Sequence, residues 1–142
     1  MRASVTAEHL SAIPFVGPIE LWTKWTSTAF ELNPRAIIAV EKQRWERKFD
    51  TTAPLPAEIP VNADGTPLDR RRLPPRGCNV ELTAIRVAGG AVWWTFSFEA
   101  LGTLQTVEND LRAVALMVAG RKPPALNGGL LASYPAWLKA LP

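Results

Sequence analysis

The sequence predicts an α+β domain: an antiparallel sheet of about four strands, one main amphipathic helix packed on one of its faces, and a short C-terminal helix. Three observations carry this. Two alternating runs, 79–87 and 92–101, flank Gly89-Gly90, a pair able to adopt the positive φ angles of a tight hairpin turn. Leu104, Val107, Leu111, Val114, Ala115 and Val118 then recur at helical spacing until Gly120. Six prolines between residues 51 and 77 mark a connection rather than a regular element.

Taken in order, residues 1–13 read as a loose lead-in, and Pro14, Gly17 and Pro18 as a turn-rich entry. Ile19 to Trp25 alternates as a half-buried strand does. Arg35 to Asp50 opens β-branched and closes charged. It predicts a strand through about Lys42, with the remainder open between strand and helix. In strand form, Trp45 and Phe49 share a face with Glu41, Gln43 and Arg47, while Lys42, Arg44, Glu46 and Lys48 take the other. Residues 51–77 are expected as a proline-rich loop within the domain. With Gly89-Gly90 as a two-residue loop, Val87 faces Val92, Ile85 faces Trp94, Thr83 faces Phe96 and Glu81 faces Phe98, and that face is the expected core. Arg86 then lies across from Trp93, and Glu81 and Glu99 point to opposite faces. Thr103 or Thr106 is the expected N-cap of the main helix, with Glu108 and Asp110 where the helix dipole favours them. Pro135 to Leu141, preceded by Ser133, predicts the terminal helix.

Composition bounds the rest. A chain of 142 residues, 47% apolar and 20% charged, is expected to fold as a single domain over 1–142. No segment has the length and apolarity of a membrane span or secretory signal, so a cytoplasmic location with no membrane partner is expected. One cysteine, Cys78, and one histidine, His9, cannot supply a structural zinc site or an ordinary catalytic triad, and no cofactor is expected. The net charge of +3 concentrates in residues 35–76, with nine basic and six acidic side chains.

Candidate binding residues fall in three groups. Lys42 and Arg44, with Lys48, lie on one face of a charged run around Glu46, a geometry suited to a phosphate or carboxylate, though such runs are commonly just solvated surface. Arg70, Arg71 and Arg72, with Arg76, crowd four guanidinium groups into the proline-rich loop. Arg86 and Trp93 form the third, because Trp94 is expected in the core and its neighbour must then face outward.

Together these predict a small binding or interaction domain for an acidic or phosphorylated protein or small anion. Self-association is possible through the hairpin edge or the Trp93 face. The alternative is a phosphoanhydride-processing enzyme, with Lys42, Arg44 and Lys48 as phosphate ligands and Glu46, Glu81 or Glu99 holding magnesium. Binding of RNA or single-stranded DNA through aromatics and arginines ranks third, because the net charge is small.

Overall fold

The computed structural model describes residues 2–23, 39–69, 73–126 and 129–140. In chain order its elements are β1 (Arg2–Ala12), β2 (Phe15–Thr23), β3 (Val40–Asp50), β4 (Ala57–Ile59), β5 (Gly77–Val87), β6 (Val92–Leu101), α1 (Val107–Gly120) and α2 (Tyr134–Lys139). The class is the predicted α+β. Strands β1 and β2 form one two-stranded sheet, and the others form an antiparallel sheet in the order β4-β3-β5-β6. The chain divides into two compact units, residues 28–115 and residues 1–27 with 116–142.

In the larger unit, β3 departs from the expected boundaries. It starts at Val40 and runs to Asp50, straight through the charged stretch that the sequence leaves open. Every residue from Val40 to Asp50 pairs with β5, and the charges find neighbours on the sheet surface, so a helix has nothing to offer in exchange. The alternation read from the sequence holds: Phe49 is buried on one face, and Lys42, Arg44, Glu46 and Lys48 lie on the other. The predicted strand residues 35–38 lie outside the described residues. Between Thr51 and Arg76 the proline-rich connection contains β4, which adds three pairs beyond Lys48, Phe49 and Asp50. An isolated bridge joins Val61 to Pro67.

The hairpin forms where expected but one residue out of register. Arg86 pairs with Val92, Ile85 with Trp93, Ala84 with Trp94, Leu82 with Phe96 and Val80 with Phe98. The turn is built on Ala88 and Gly89, both at positive φ (46° and 74°), and closes through a 2.8 Å bond from Gly90 N–H to Val87 O. Ala91 is the surplus residue of a bulge between that bond and the Arg86–Val92 pair. This register sorts the two strands by polarity. Leu82, Phe96, Val80 and Phe98 share one face, while Thr83, Thr95, Glu81 and Ser97 share the other. The expected register would have set Glu81 against Phe98, mixing the two.

Ala88 is a strained choice for a turn that needs positive φ at both central positions. Replacing it with glycine is expected to stabilise the unit by about 0.5–1 kcal/mol in urea unfolding. A loss of stability would contradict the turn geometry.

The core of the unit draws on both faces of the sheet, with its largest side chain, Phe49, at the end where β3 runs into Thr51. Phe49 and Cys78 are fully buried and Val80 nearly so on the apolar face; Ile85 and Thr83 are buried on the other, and Val114 and Ala115 in α1. Gly77 permits this closeness, since a Cβ there would stand 2.5 Å from the carbonyl oxygen of Phe49. Arg76 fastens the end together. Its Nε and Nη2 donate to the carbonyl of Thr51 at 2.8 and 2.5 Å, and its Nη2 lies 3.7 Å from the buried Asp110 carboxylate in the first turn of α1. Helix α1 opens with a bond from Asp110 N–H to Thr106 O. Of its predicted apolar stripe, Val114 and Ala115 are buried, whereas Leu104 lies before the helix and is exposed.

In the smaller unit, the expected lead-in is a strand: β1 pairs with β2 from Arg2–Thr23 to Ala12–Phe15, around a turn containing a cis Ile13-Pro14 bond. Strand β2 begins at Phe15 and so takes in the predicted turn-rich entry. Helix α2 follows its predicted start, with the Ser133 side chain accepting a bond from Ala136 N–H at 3.4 Å.

Candidate functional site

The four-stranded sheet has one apolar and one charged face, each partly buried, and the predicted site residues divide between them. On the charged face, Lys42, Arg44, Glu46 and Lys48 of β3 stand beside Ile85, Thr83, Glu81 and Asn79 of β5. Glu46 and Glu81 are directly paired positions, and each draws a cation. Lys48 Nζ lies 2.7 Å from Glu46, and Arg44 Nε lies 3.0 Å from Glu81, which also accepts a bond from the Thr83 hydroxyl. Glu99 pairs with Asn79 and shares this face with Glu81, so the expectation that the two glutamates oppose one another is corrected by the one-residue register.

Chemically, this face is self-compensating. Arg44 and Lys48, two cations that a phosphate would require, are held by glutamates. Among the described residues no three Asp, Glu, His or Cys side chains converge to hold a metal ion. Arg47 on the other face pairs with Glu58 at 2.9 Å, and Arg112 with Glu108 at 2.7 Å within α1. Residues 28–115 contain eleven basic and eleven acidic residues, so the unit is neutral and the chain's excess charge of +3 belongs to residues 1–27 and 116–142. A polyanion gains little from such a unit. Arg70, Arg71 and Arg72 lie outside the described residues.

The apolar face holds what sequence reasoning missed. Trp94, expected in the core, is 60% exposed, and Trp45 is 45% exposed. Their rings stack at 5.6 Å between centroids and 20° between planes. They come from β3 and β6 with β5 between them, where the residue paired to Trp94 is Ala84, too small to keep the rings apart. Beside the stack, Leu82 is exposed and Phe96 meets Phe98 edge to face. A groove of about 520 Å³ runs between this floor and the Asn62–Gly65 turn, with Arg44 and Arg47 at its rim. Arg86 lies on this face, exposed, between Glu41 and Val92. It is not across from Trp93, because the shifted register pairs Trp93 with Ile85 on the opposite face. Trp93 is nevertheless 50% exposed, so its outward position stands although the reason given for it does not.

Cys78 closes the buried end of the apolar face. Burial pushes its thiol up to about 12, against the lowering effect of a bond with the Glu99 backbone and with the nearby Asp110 and Glu99 charges adding to the rise. Folding therefore favours the neutral thiol, and its stabilising contribution is present below pH 9.0 and falls as pH rises from there towards about 12. Native protein is expected to resist Ellman's reagent at pH 8 and to react fully in urea. Rapid labelling of the folded chain would show that this end is open.

Comparison with protein-family models, curated proteins and solved structures finds no match for the chain. No described helix is long and apolar enough to cross a membrane.

Proposed function

We propose that the chain is a small binding domain that docks through the apolar face of its four-stranded sheet onto an acidic or phosphorylated partner. The observation that carries this is the Trp45–Trp94 stack, two large rings about half-exposed on a sheet face with Leu82 and Phe96 beside them. Water contact with that much aromatic surface is costly, and such anchors are enriched where partners bind. Arg86 at the margin supplies a guanidinium suited to bidentate recognition of a carboxylate or phosphate. The charged face supports a phosphoanhydride site less well, because Glu46 and Glu81 occupy the cations a substrate would need.

Tryptophan fluorescence tests the proposal directly. Glutamate-rich and phosphoserine peptides are expected to give a saturable change, abolished by Trp94→Ala and weakened about tenfold by Arg86→Ala, the size of one charge-assisted contact. An identical response from Trp94→Ala would remove this face from consideration.

A further inference from the structure

We infer that this face also takes a second copy of this chain, docked apolar face to apolar face with Glu41 of each copy against Arg86 of the other, an inference that rests on the docking face proposed above. The sheet register carries it. On this face β3 and β5 present successive rows: Glu41 beside Arg86, Gln43 beside Ala84, Trp45 beside Leu82, Arg47 beside Val80 and the buried Phe49 beside Cys78. Two of these rows set a residue beside its complement, acid beside base and large ring beside leucine. A two-fold axis lying between the sheets, parallel to the strands and midway between β3 and β5, places β3 of one copy over β5 of the other. Glu41 then meets the partner's Arg86 and Trp45 the partner's Leu82, while Ala84 lies beneath the Trp45–Trp94 stack and takes no part. Such self-complementarity is what an isologous interface requires.

Competing axes and ligands fare worse. Moving the axis over β5 would set Arg86 on the partner's Arg86, a like-charge contact that disfavours association. A nucleic-acid strand would approach a unit with eleven basic and eleven acidic residues, and so without net attraction. A second copy needs none: the face carries one acid and one base in the same row, and it is neutral with respect to itself. Aligned packing of two sheets, about 10 Å apart, accommodates side chains of this size.

The exposed area sets the expected strength. Two half-exposed tryptophans contribute on the order of 100 Å² each, and Leu82 and Val92 add less. With polar margins, this reaches only the low end of the range for specific interfaces, roughly 600 Å² per partner. For so small an interface a dissociation constant on the order of micromolar is expected, so the dimer should appear and disappear across ordinary laboratory concentrations.

Sedimentation equilibrium of the full chain between about 5 and 200 μM tests the assignment. Native protein is expected to pass from monomer to dimer over this range. Glu41→Arg alone and Arg86→Glu alone should each weaken association at least tenfold, while the double exchange Glu41→Arg/Arg86→Glu should restore it to within about threefold. Both positions are exposed, so each variant is expected to fold, which circular dichroism is to check before sedimentation. A monomer at every concentration overturns the inference, as does a dimer indifferent to the single reversals or not rescued by the double one. If the protein is monomeric but Trp94 fluorescence still responds to acidic peptides, the docking face stands with another occupant. If neither responds, both proposals fall.

Discussion

Phe49→Ala is expected to cost about 3–5 kcal/mol, the largest effect of any single truncation in the four-stranded unit. Phe49 is 1% exposed, in the row with Cys78 and Ala100 and one residue before the buried Thr51. Removing its ring leaves a cavity that the sheet cannot close, because β3 is paired on both sides at this residue, with β4 and with β5. Small domains carry only about 5–15 kcal/mol in total, so the variant should unfold at markedly lower urea and melt at least 10 °C earlier. Phe49→Leu, which retains most of the volume, should lose far less. A Phe49→Ala loss below about 1 kcal/mol would mean that this end of the sheet is not the core.

Arg76→Ala is expected to cost about 3 kcal/mol for a different reason. The side chain donates twice to the carbonyl of Thr51 and stands beside an Asp110 carboxylate only 7% exposed. Asp110 Oδ2 and Thr51 Oγ1 have no hydrogen-bond partner among the described residues. Without the guanidinium, the buried Asp110 carboxylate and the Thr51 carbonyl both lose the cation beside them. Asp110→Asn should therefore be milder than Arg76→Ala, and the double variant should cost clearly less than the two singles combined, a coupling that urea titrations of the four proteins measure. Simple additivity would show that Arg76 acts through its aliphatic stem alone.

Both effects reside in elements whose existence is legible in the sequence, and the site depends on details that are not. The hairpin, α1 and α2 follow from turn residues, helical spacing and Ser133 before Pro135. The faces of β3 follow from alternation, even though its extent did not, because strand pairing overrides a charged composition whenever each charge finds a neighbour. Trp94 is where local logic failed. Placing the loop at Gly89-Gly90 looks natural, since glycine tolerates positive φ at no steric cost, yet the chain uses Ala88 and Gly89 instead. A signal for this was present: only the observed register keeps Leu82, Val80, Phe96 and Phe98 together and leaves Thr83, Glu81, Thr95 and Ser97 to one another. Polarity along whole strands outweighs glycine preference at a single turn. The Trp45–Trp94 stack was out of reach for a second reason, since it joins non-adjacent strands over Ala84, and nothing in a linear sequence announces what lies across a gap.

Ala91 has a consequence of its own. As the surplus residue of the bulge it is slack in the chain, pairing with nothing on β5. Deleting it would leave Arg86 opposite Val92 and every later pair in place, a shortening the hairpin absorbs. The same deletion a few residues onward, at Thr95, has no slack to draw on: the remainder of β6 would turn over, sending Phe96 and Phe98 to the charged face and Ser97 and Glu99 into the apolar one. Tolerance to length change is thus confined to one position beside the turn, while the ten residues of β6 behave as a ruler that cannot lose a division.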